Sequence, residues 1–511
     1  MTFSSILFAP ATGPAPPETD EAPPFFADLR LDQIVDTITA GRHEYGLAPF
    51  FYRGLDTVDA VTYRQEVLRD LEKPPLRQSI ELFARKMQAM RQHLAQADKM
   101  YYGYQQQAWF VDAVQIYCDA VEGLQLDLAE LDFGARGLTA WRNYLTDYAH
   151  SQAFTDLRTQ TQRVKTALST VRYGLRIRGM RVDVFRFPPD EDLSLEVAST
   201  FAKFRPPDAP QPEPPQLVVT PQMNPVEARI LDNIAQLYPD IFDGLEAYRV
   251  AQRDYLDRVI GRFDREVQFY LAVSDYVALF KQAGLPFCYP QLSLAGHETS
   301  IVGGFDAALG YRQLNGHARM VSNDVHLSDP ERVLVVSGPN QGGKTTFARM
   351  FGQIHYLASL GCPVPGRAAR LRLVDRVFTH FEREETIESL HGKLQDDLIR
   401  IRQILTQATS HSLVIMNEIF SSTTLGDAVF LSERIMHRII EREALCVWVS
   451  FIDELASYGP ETVSLVATVL AGDPSRRTYQ IVRRPTDGLS YALSLAEKHR
   501  VSYGWLKERL P

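Results

Sequence analysis

Gly338-Pro-Asn-Gln-Gly-Gly-Lys-Thr345 is the stretch whose residue types and spacing point most directly to chemistry. Its glycines let backbone N–H groups turn inward around phosphate oxygens. Lys344 supplies a cation for the β and γ oxygens, and Thr345 a hydroxyl for Mg²⁺. The expected nucleotide contacts are Gly338, Pro339, Asn340, Gln341, Gly342, Gly343, Lys344, Thr345 and Thr346. Downstream, the apolar run Ser412–Met416 ends in Asn417-Glu418. A carboxylate at that place can accept a proton from water beside a γ-phosphate, which makes Glu418 the expected base. Asn417 stands where an aspartate usually holds the metal shell; with Thr345 it completes the expected Mg²⁺ side, offering only a neutral oxygen.

Such a loop needs a strand before it and a helix after it. The β-branched run Val333–Val336 supplies the first, and Phe347, Phe351, Ile354 and Ala358 mark the apolar face of the second. Further β-like runs at Arg332–Ser337, Ser412–Met416, Leu445–Ser450, Ser464–Leu470 and Thr478–Arg483 predict an α/β domain over residues 291–511. Its sheet is expected to be largely parallel, with an antiparallel edge.

Residues 26–290 read as mainly helical. Leu76, Ile80, Phe83, Met87, Met90 and Leu94 recur at helix-face spacing, and one helix of about 55 Å is expected from Leu245 to Gln282. Leu175–Phe185 alternates apolar with basic or polar side chains as one half-exposed strand would; Gly179 interrupts the alternation, so Arg176, Arg178 and Arg181 are not expected on one face, and a solvated edge is favoured over a phosphate-binding strip. Residues 1–25, rich in proline and acid, read as an extended or disordered lead-in, and Pro206–Pro221 as a loop or linker.

The chain has 511 residues, is 45% hydrophobic and 23% charged, and contains no apolar run of membrane-span length, so no membrane partner is expected and a cytoplasmic location is. Its formal charge of -9 argues against coating nucleic acid through bulk charge, while leaving a local basic surface open. The four cysteines are scattered and read as free thiols.

Several linked stretches resemble the MutS family of DNA mismatch-repair ATPases, within the wider ABC-type ATPase group. They are Ser322-Asn-Asp324, Val335–Thr346, Gly361–Pro365, Asp375–Thr379, Ile404–Thr409, Ser412–Glu418 and Ser422–Asp427. A weaker likeness covers Leu29–Ile34, Tyr63–Val67 and Asp275–Pro290. The resemblance implies a multidomain chain: a mainly α, lever- and clamp-like N-terminal half, then an α/β P-loop ATPase domain. It also implies ATP and Mg²⁺ as cofactors, with Lys344 and Glu418 as catalytic residues. Its implied partners are a second copy, facing the first through the ATPase domains, and duplex or branched DNA. The segment Glu388–Asp397 lies where the family has a trans-acting signature. His391, Gly392 and Lys393 are therefore either contacts to a partner's γ-phosphate or a solvated helix start, the helix having Leu394, Leu398, Ile401 and Leu405 as its inner stripe.

The chain departs from the family at Asn417, at Phe451 (the family's switch histidine) and at Met320 (the family's adenine-stacking ring). Its helical region also begins within about thirty residues, which leaves no room for the family's mismatch-reading domains. The expected activity is ATP plus water to ADP plus phosphate, driving a dimeric DNA-binding clamp in repair or recombination. The alternative is a nucleotide-gated dimerisation protein with little hydrolysis and no direct DNA role.

Overall fold

A computed structural model describes residues 3–10, 18–187, 223–294, 296, 298–314, 320–382, 392–420, 422–470 and 473–486. The chain divides into two compact units. One comprises residues 1–3, 73–133 and 139–264; the other comprises residues 4–72, 134–138 and 265–511. The expected boundary at residue 290 falls inside the second of these units. Residues 26–72 belong with the α/β part because their apolar side chains pack there: Leu29 lies against Gly352, and its carbonyl accepts from Gln353 Nε2 at 2.9 Å.

The expected lead-in is also partly packed. Ile6 and Leu7 are fully buried, and Glu266 accepts from Ser5 Oγ at 2.8 Å and from the Ile6 N–H at 2.9 Å. Short helices Phe25–Leu29 (α1) and Leu31–Thr39 (α2) follow, then Val58–Asp70 (α3), capped by Thr57.

The helical unit contains Pro74–Lys99 (α4), Gly103–Glu130 (α5), Arg136–Ala149 (α6) and Gln152–Ser169 (α7). The expected stripe of α4 is buried from Leu76 to Met90, with Leu94 half-buried. Tyr173–Arg178 (β1) and Arg181–Arg186 (β2) pair antiparallel, so the single strand expected over Leu175–Phe185 is a hairpin turning at Gly179, whose φ is +61°. Pro225–Leu237 (α8) starts with a capping box of Asn224 and Glu227. The expected linker at Pro206–Pro221 lies outside the described residues.

The long helix expected from Leu245 to Gln282 is two helices, Pro239–Ala251 (α9) and Arg258–Gln282 (α10). Asp257 causes the break. Its Oδ1 accepts from the Val259 and Ile260 N–H groups at 2.8 and 3.0 Å, satisfying the open first turn of α10.

In the second unit, Phe287–Cys288 (β3), Gln291–Ser293 (β4), Thr299–Gly304 (β5), Ala307–Gln313 (α11) and Asn323–Leu327 (β6) precede the central strand Val333–Ser337 (β7). Lys344–Ser359 (α12), Val364–Pro365 (β8), Ala368–Arg372 (β9), Val377–Phe381 (β10) and Lys393–Gln407 (α13) come next. Leu413–Asn417 (β11), Leu425–Glu441 (α14), Leu445–Val449 (β12), Thr462–Leu470 (β13) and Asp473–Arg483 (β14) complete it. Six strands form one sheet in the order β10-β11-β12-β7-β13-β14, parallel throughout except for the antiparallel edge β14. The expected parallel sheet with an antiparallel edge is therefore present.

Every residue of β7, β11 and β12 is buried, as strands covered on both faces require. Val333, Val335, Val414, Met416 and Trp448 meet Ile401, Ile404, Met436 and Ile439 of α13 and α14 in one core. Each fully buried valine or leucine contributes roughly 1.5–3 kcal/mol. Leu398 departs from the stripe expected for α13: it is exposed, and Ile404 takes the inward place.

No helix among the described residues is long and apolar enough to cross a membrane. All four cysteines are free, and burial pushes the thiols of Cys118 and Cys288 up to about 12 and about 11, so both stay protonated near neutral pH.

Candidate functional site

The loop joins the C-terminal end of β7, which lies between β12 and β13 in the parallel run, to the N-terminus of α12. That is where an open α/β sheet leaves a crevice and where helix N–H groups point outward. Gly338 and Gly343 have φ of +113° and +94°, conformations that side-chain-bearing residues avoid. A Cβ on Gly342 would stand 2.8 Å from the Pro339 carbonyl oxygen, so this position also needs glycine, for close backbone approach. The resulting cradle opens onto a cavity of about 600 Å³ lined by Asn340–Phe347, Glu418, Phe305, Leu309, Met320 and Tyr479.

Lys344 is 6% exposed and fully engaged: its Nζ donates to the Gly338 carbonyl at 2.9 Å and to Asn340 Oδ1 at 3.2 Å. Glu418 Oε1 lies 3.5 Å from the same nitrogen. Thr345 Oγ1 donates to Asn417 Oδ1 at 3.0 Å. The loop and the end of β11, 72 residues apart, thus meet at two points, and every expected catalytic and metal-side residue lies in this cluster. No group of three or more His, Cys, Asp or Glu among the described residues could hold a metal. The Thr345 hydroxyl, the Asn417 carbonyl and the Glu418 carboxylate form an all-oxygen set, which suits Mg²⁺ because that ion keeps most of its waters and fills its shell with substrate phosphates.

Among the described residues six non-glycines have positive φ, and three of them, Gln341, Glu418 and Tyr479, line this cavity. Such strain persists only where surrounding contacts enforce it, and it gathers at functional sites. Glu418 is fixed by its N–H donating to the Val449 carbonyl at 2.9 Å. Tyr479 is fixed through Asn323, whose Oδ1 accepts from the Ile481 N–H at 2.7 Å and whose Nδ2 donates to the Tyr479 carbonyl at 3.4 Å. The Tyr479 ring passes 3.7 Å from where a Cβ on Gly343 would stand. Sequence reasoning missed Tyr479, since an aromatic on an edge strand reads as ordinary strand composition. The nearest signal was Asn323, already part of a noted motif.

Met320 lines the cavity with Phe305 and Leu309, where the missing aromatic was expected. Phe451 is 52% exposed and is not among the lining residues. Gly392 opens α13 as expected, its carbonyl accepting from the Gln395 N–H at 2.8 Å. His391 lies outside the described residues, as does the side chain of Lys393.

Residues 334–499 match the family described as MutS domain V. The chain is 27% identical over 285 residues to "DNA mismatch repair protein MutS 2" of Halobacterium salinarum, covering 54% of this chain and 32% of that one. It is 31% identical over 180 residues to "Endonuclease MutS2" of Thermus thermophilus, covering 35% of this chain and 24% of that one. Against "DNA mismatch repair protein MutS" of Chlorobium phaeovibrioides the identity is 28% over 237 residues, 45% of this chain and 27% of that one. The chain thus spans between about a quarter and a third of the length of these relatives. The domain match falls on the loop and sheet just described, so residues 334–499 carry a MutS domain V, and the chain is similar to proteins named MutS and MutS2 over part of its length.

Proposed function

We propose that this chain binds ATP with Mg²⁺ in the cavity above β7, hydrolyses it slowly, and uses the cycle to drive a dimeric DNA-binding clamp in repair or recombination in the cytoplasm. The observation that carries the ATPase part is the convergence of Lys344, Thr345, Asn417 and Glu418 on one glycine cradle.

Lys344 exchanges its present acceptors for β and γ oxygens and neutralises charge as the terminal phosphoryl leaves. Thr345 and Asn417 would hold Mg²⁺, which when bound would supply charge neutralisation at the phosphates. Glu418 takes a proton from the attacking water as the new P–O bond forms and ADP departs. Its Oε1 faces Lys344 at 3.5 Å, and the second oxygen of the carboxylate remains able to receive that proton. The helical unit, residues 26–290 in part, is the proposed lever and clamp. Gly392, with His391 and Lys393, is the proposed reach to a partner's nucleotide. The DNA part draws on the MutS relatives, whose printed names place them in mismatch repair.

Asn417, a neutral group on the metal side, favours a second reading: a nucleotide-gated dimer with little turnover. Steady-state phosphate release by the full chain and by Glu418→Gln separates the two. The ATPase reading expects a loss of about a hundredfold or more in kcat with retained ATP binding, within the range for removal of a positioned base. Equal rates would remove Glu418 as the base and leave the gated dimer.

A further inference from the structure

The hairpin β1–β2 concentrates positive charge in an acidic chain: Arg172–Arg186 holds five arginines against one aspartate, while the whole chain carries a formal charge of -9. The register pairs Arg176 with Asp183, Arg178 with Arg181 and Gly174 with Phe185. Paired and alternate residues of a ribbon share a face, so Arg176, Arg178, Arg181 and Phe185 stand on one side. Gly179 breaks the alternation by turning the chain, and this brings Arg181 onto the same face of the ribbon as Arg178.

The charge on this face is available. Elsewhere in the same unit bases are neutralised, Lys165 by Asp112 at 2.9 Å and Arg158 by Glu122 at 2.8 Å. On the hairpin Arg181 meets Asp183 at 2.7 Å, but among the described residues no carboxylate pairs with Arg176 or Arg178. Arg176 is instead laid over the Phe185 ring, 5.4 Å from its centroid. That ring lies where a Cβ on residue 174 would be, 2.5 Å from its Cζ, so only glycine at 174 permits the stack. The hairpin is anchored as well: Val184, on the opposite face, packs against the core of Ile234, Ala235 and Phe242, and the Arg186 guanidinium lies 4.5 Å over the Tyr238 ring. Ile177, 70% exposed, and Met180, at the turn, form an uncovered apolar tip.

We propose that the arginine face of this hairpin grips the sugar–phosphate backbone of a nucleic-acid duplex, with the apolar tip directed into a groove. The proposal rests on the DNA reading above and assigns its contact. Arginine without lysine suits bidentate phosphate recognition, and a two-stranded ribbon has the width that the major groove admits. An acidic body repels a polyanion overall, so attraction must come from a local patch such as this one.

The test measures binding of the full chain to a labelled duplex over a range of salt, with and without ATP. Far-UV circular dichroism and thermal melts check that each variant is folded. Arg176→Gln/Arg178→Gln is expected to lower the slope of log K against log salt by about two and to weaken binding about tenfold or more at low salt. Asp183→Asn, which frees Arg181 and removes a negative charge, is expected to tighten binding several-fold, a gain that misfolding cannot mimic. A wild-type chain that binds duplex, with the double variant showing the same slope, would overturn the hairpin and leave the DNA reading standing. No duplex binding by the wild type in either nucleotide state would remove both. Binding to phosphatidylserine vesicles but not to duplex, lost in the double variant, would overturn the proposal in favour of a membrane surface.

Discussion

Thr345 Oγ1 donates to Asn417 Oδ1 at 3.0 Å, so the two residues expected to flank Mg²⁺ already touch through a hydroxyl and an amide. Both are neutral. Asn417→Asp would restore a negative charge beside a divalent cation without changing side-chain size. The variant is expected to reach half-maximal ATPase rate at a Mg²⁺ concentration several-fold lower than wild type, because ligand charge sets affinity for hard cations. An unchanged Mg²⁺ titration would show that position 417 does not face the metal.

Tyr479 separates strain from function. At φ of +60° it costs on the order of 1–3 kcal/mol, which glycine would not. Tyr479→Gly is expected to melt at the same temperature or slightly above wild type while binding a fluorescent ATP analogue several-fold more weakly. Tyr479→Phe should keep the affinity. A glycine variant that is both less stable and normal in binding would make the ring a packing element only.

His355 on α12 is fully enclosed, and its burial holds the imidazole down at about 4, against an ordinary 6.5. Its Nδ1 donates to the Phe351 carbonyl at 2.9 Å, and among the described residues Nε2 has no partner, an arrangement that fits the neutral ring. The unfolded chain therefore binds an extra proton between these values, and stability falls as pH drops from about 6.5 to about 4. The loss amounts to about 3 kcal/mol. Urea midpoints of His355→Gln across that window should decline less steeply than those of wild type.

In the helical unit Trp141 stacks on Phe263, with centroids 3.7 Å apart and rings 6° from parallel, and its buried Nε1 has no partner among the described residues. Trp141→Ala is expected to cost about 3–5 kcal/mol. Trp141→Phe should cost much less, because the volume lost is partly offset by removing an unsatisfied donor. Urea unfolding followed by circular dichroism distinguishes the pair; equal losses would point to the indole N–H as the stabilising group.

The α/β half was legible because its strands are short apolar runs and its loop demands glycine at fixed places: β7, β11 and β12 fall within a residue or two of their expected bounds. Three features resisted reading for different physical reasons. Asp257 breaks a helix with no proline between Pro239 and Pro286, so only its accepted N–H groups reveal it. Gly179 reads as a defect in one strand until its left-handed backbone makes it a turn. Tyr479 reaches the loop through tertiary packing alone, across 136 residues from Gly343, and no local pattern encodes that meeting.

Arg64 is 1% exposed, and its guanidinium donates to the carbonyls of Leu7 at 2.9 Å and Leu360 at 3.0 Å. A chain synthesised from its N-terminus releases Ile6, Leu7, Phe26 and Leu29 early, yet their native neighbours at Glu266, Gln353 and Leu360 emerge hundreds of residues later. The helical unit lies almost wholly within residues 73–264 and can close during translation. The unit that holds the nucleotide cavity cannot, so a nascent chain carries this apolar segment without its native cover until residues 265–360 have followed.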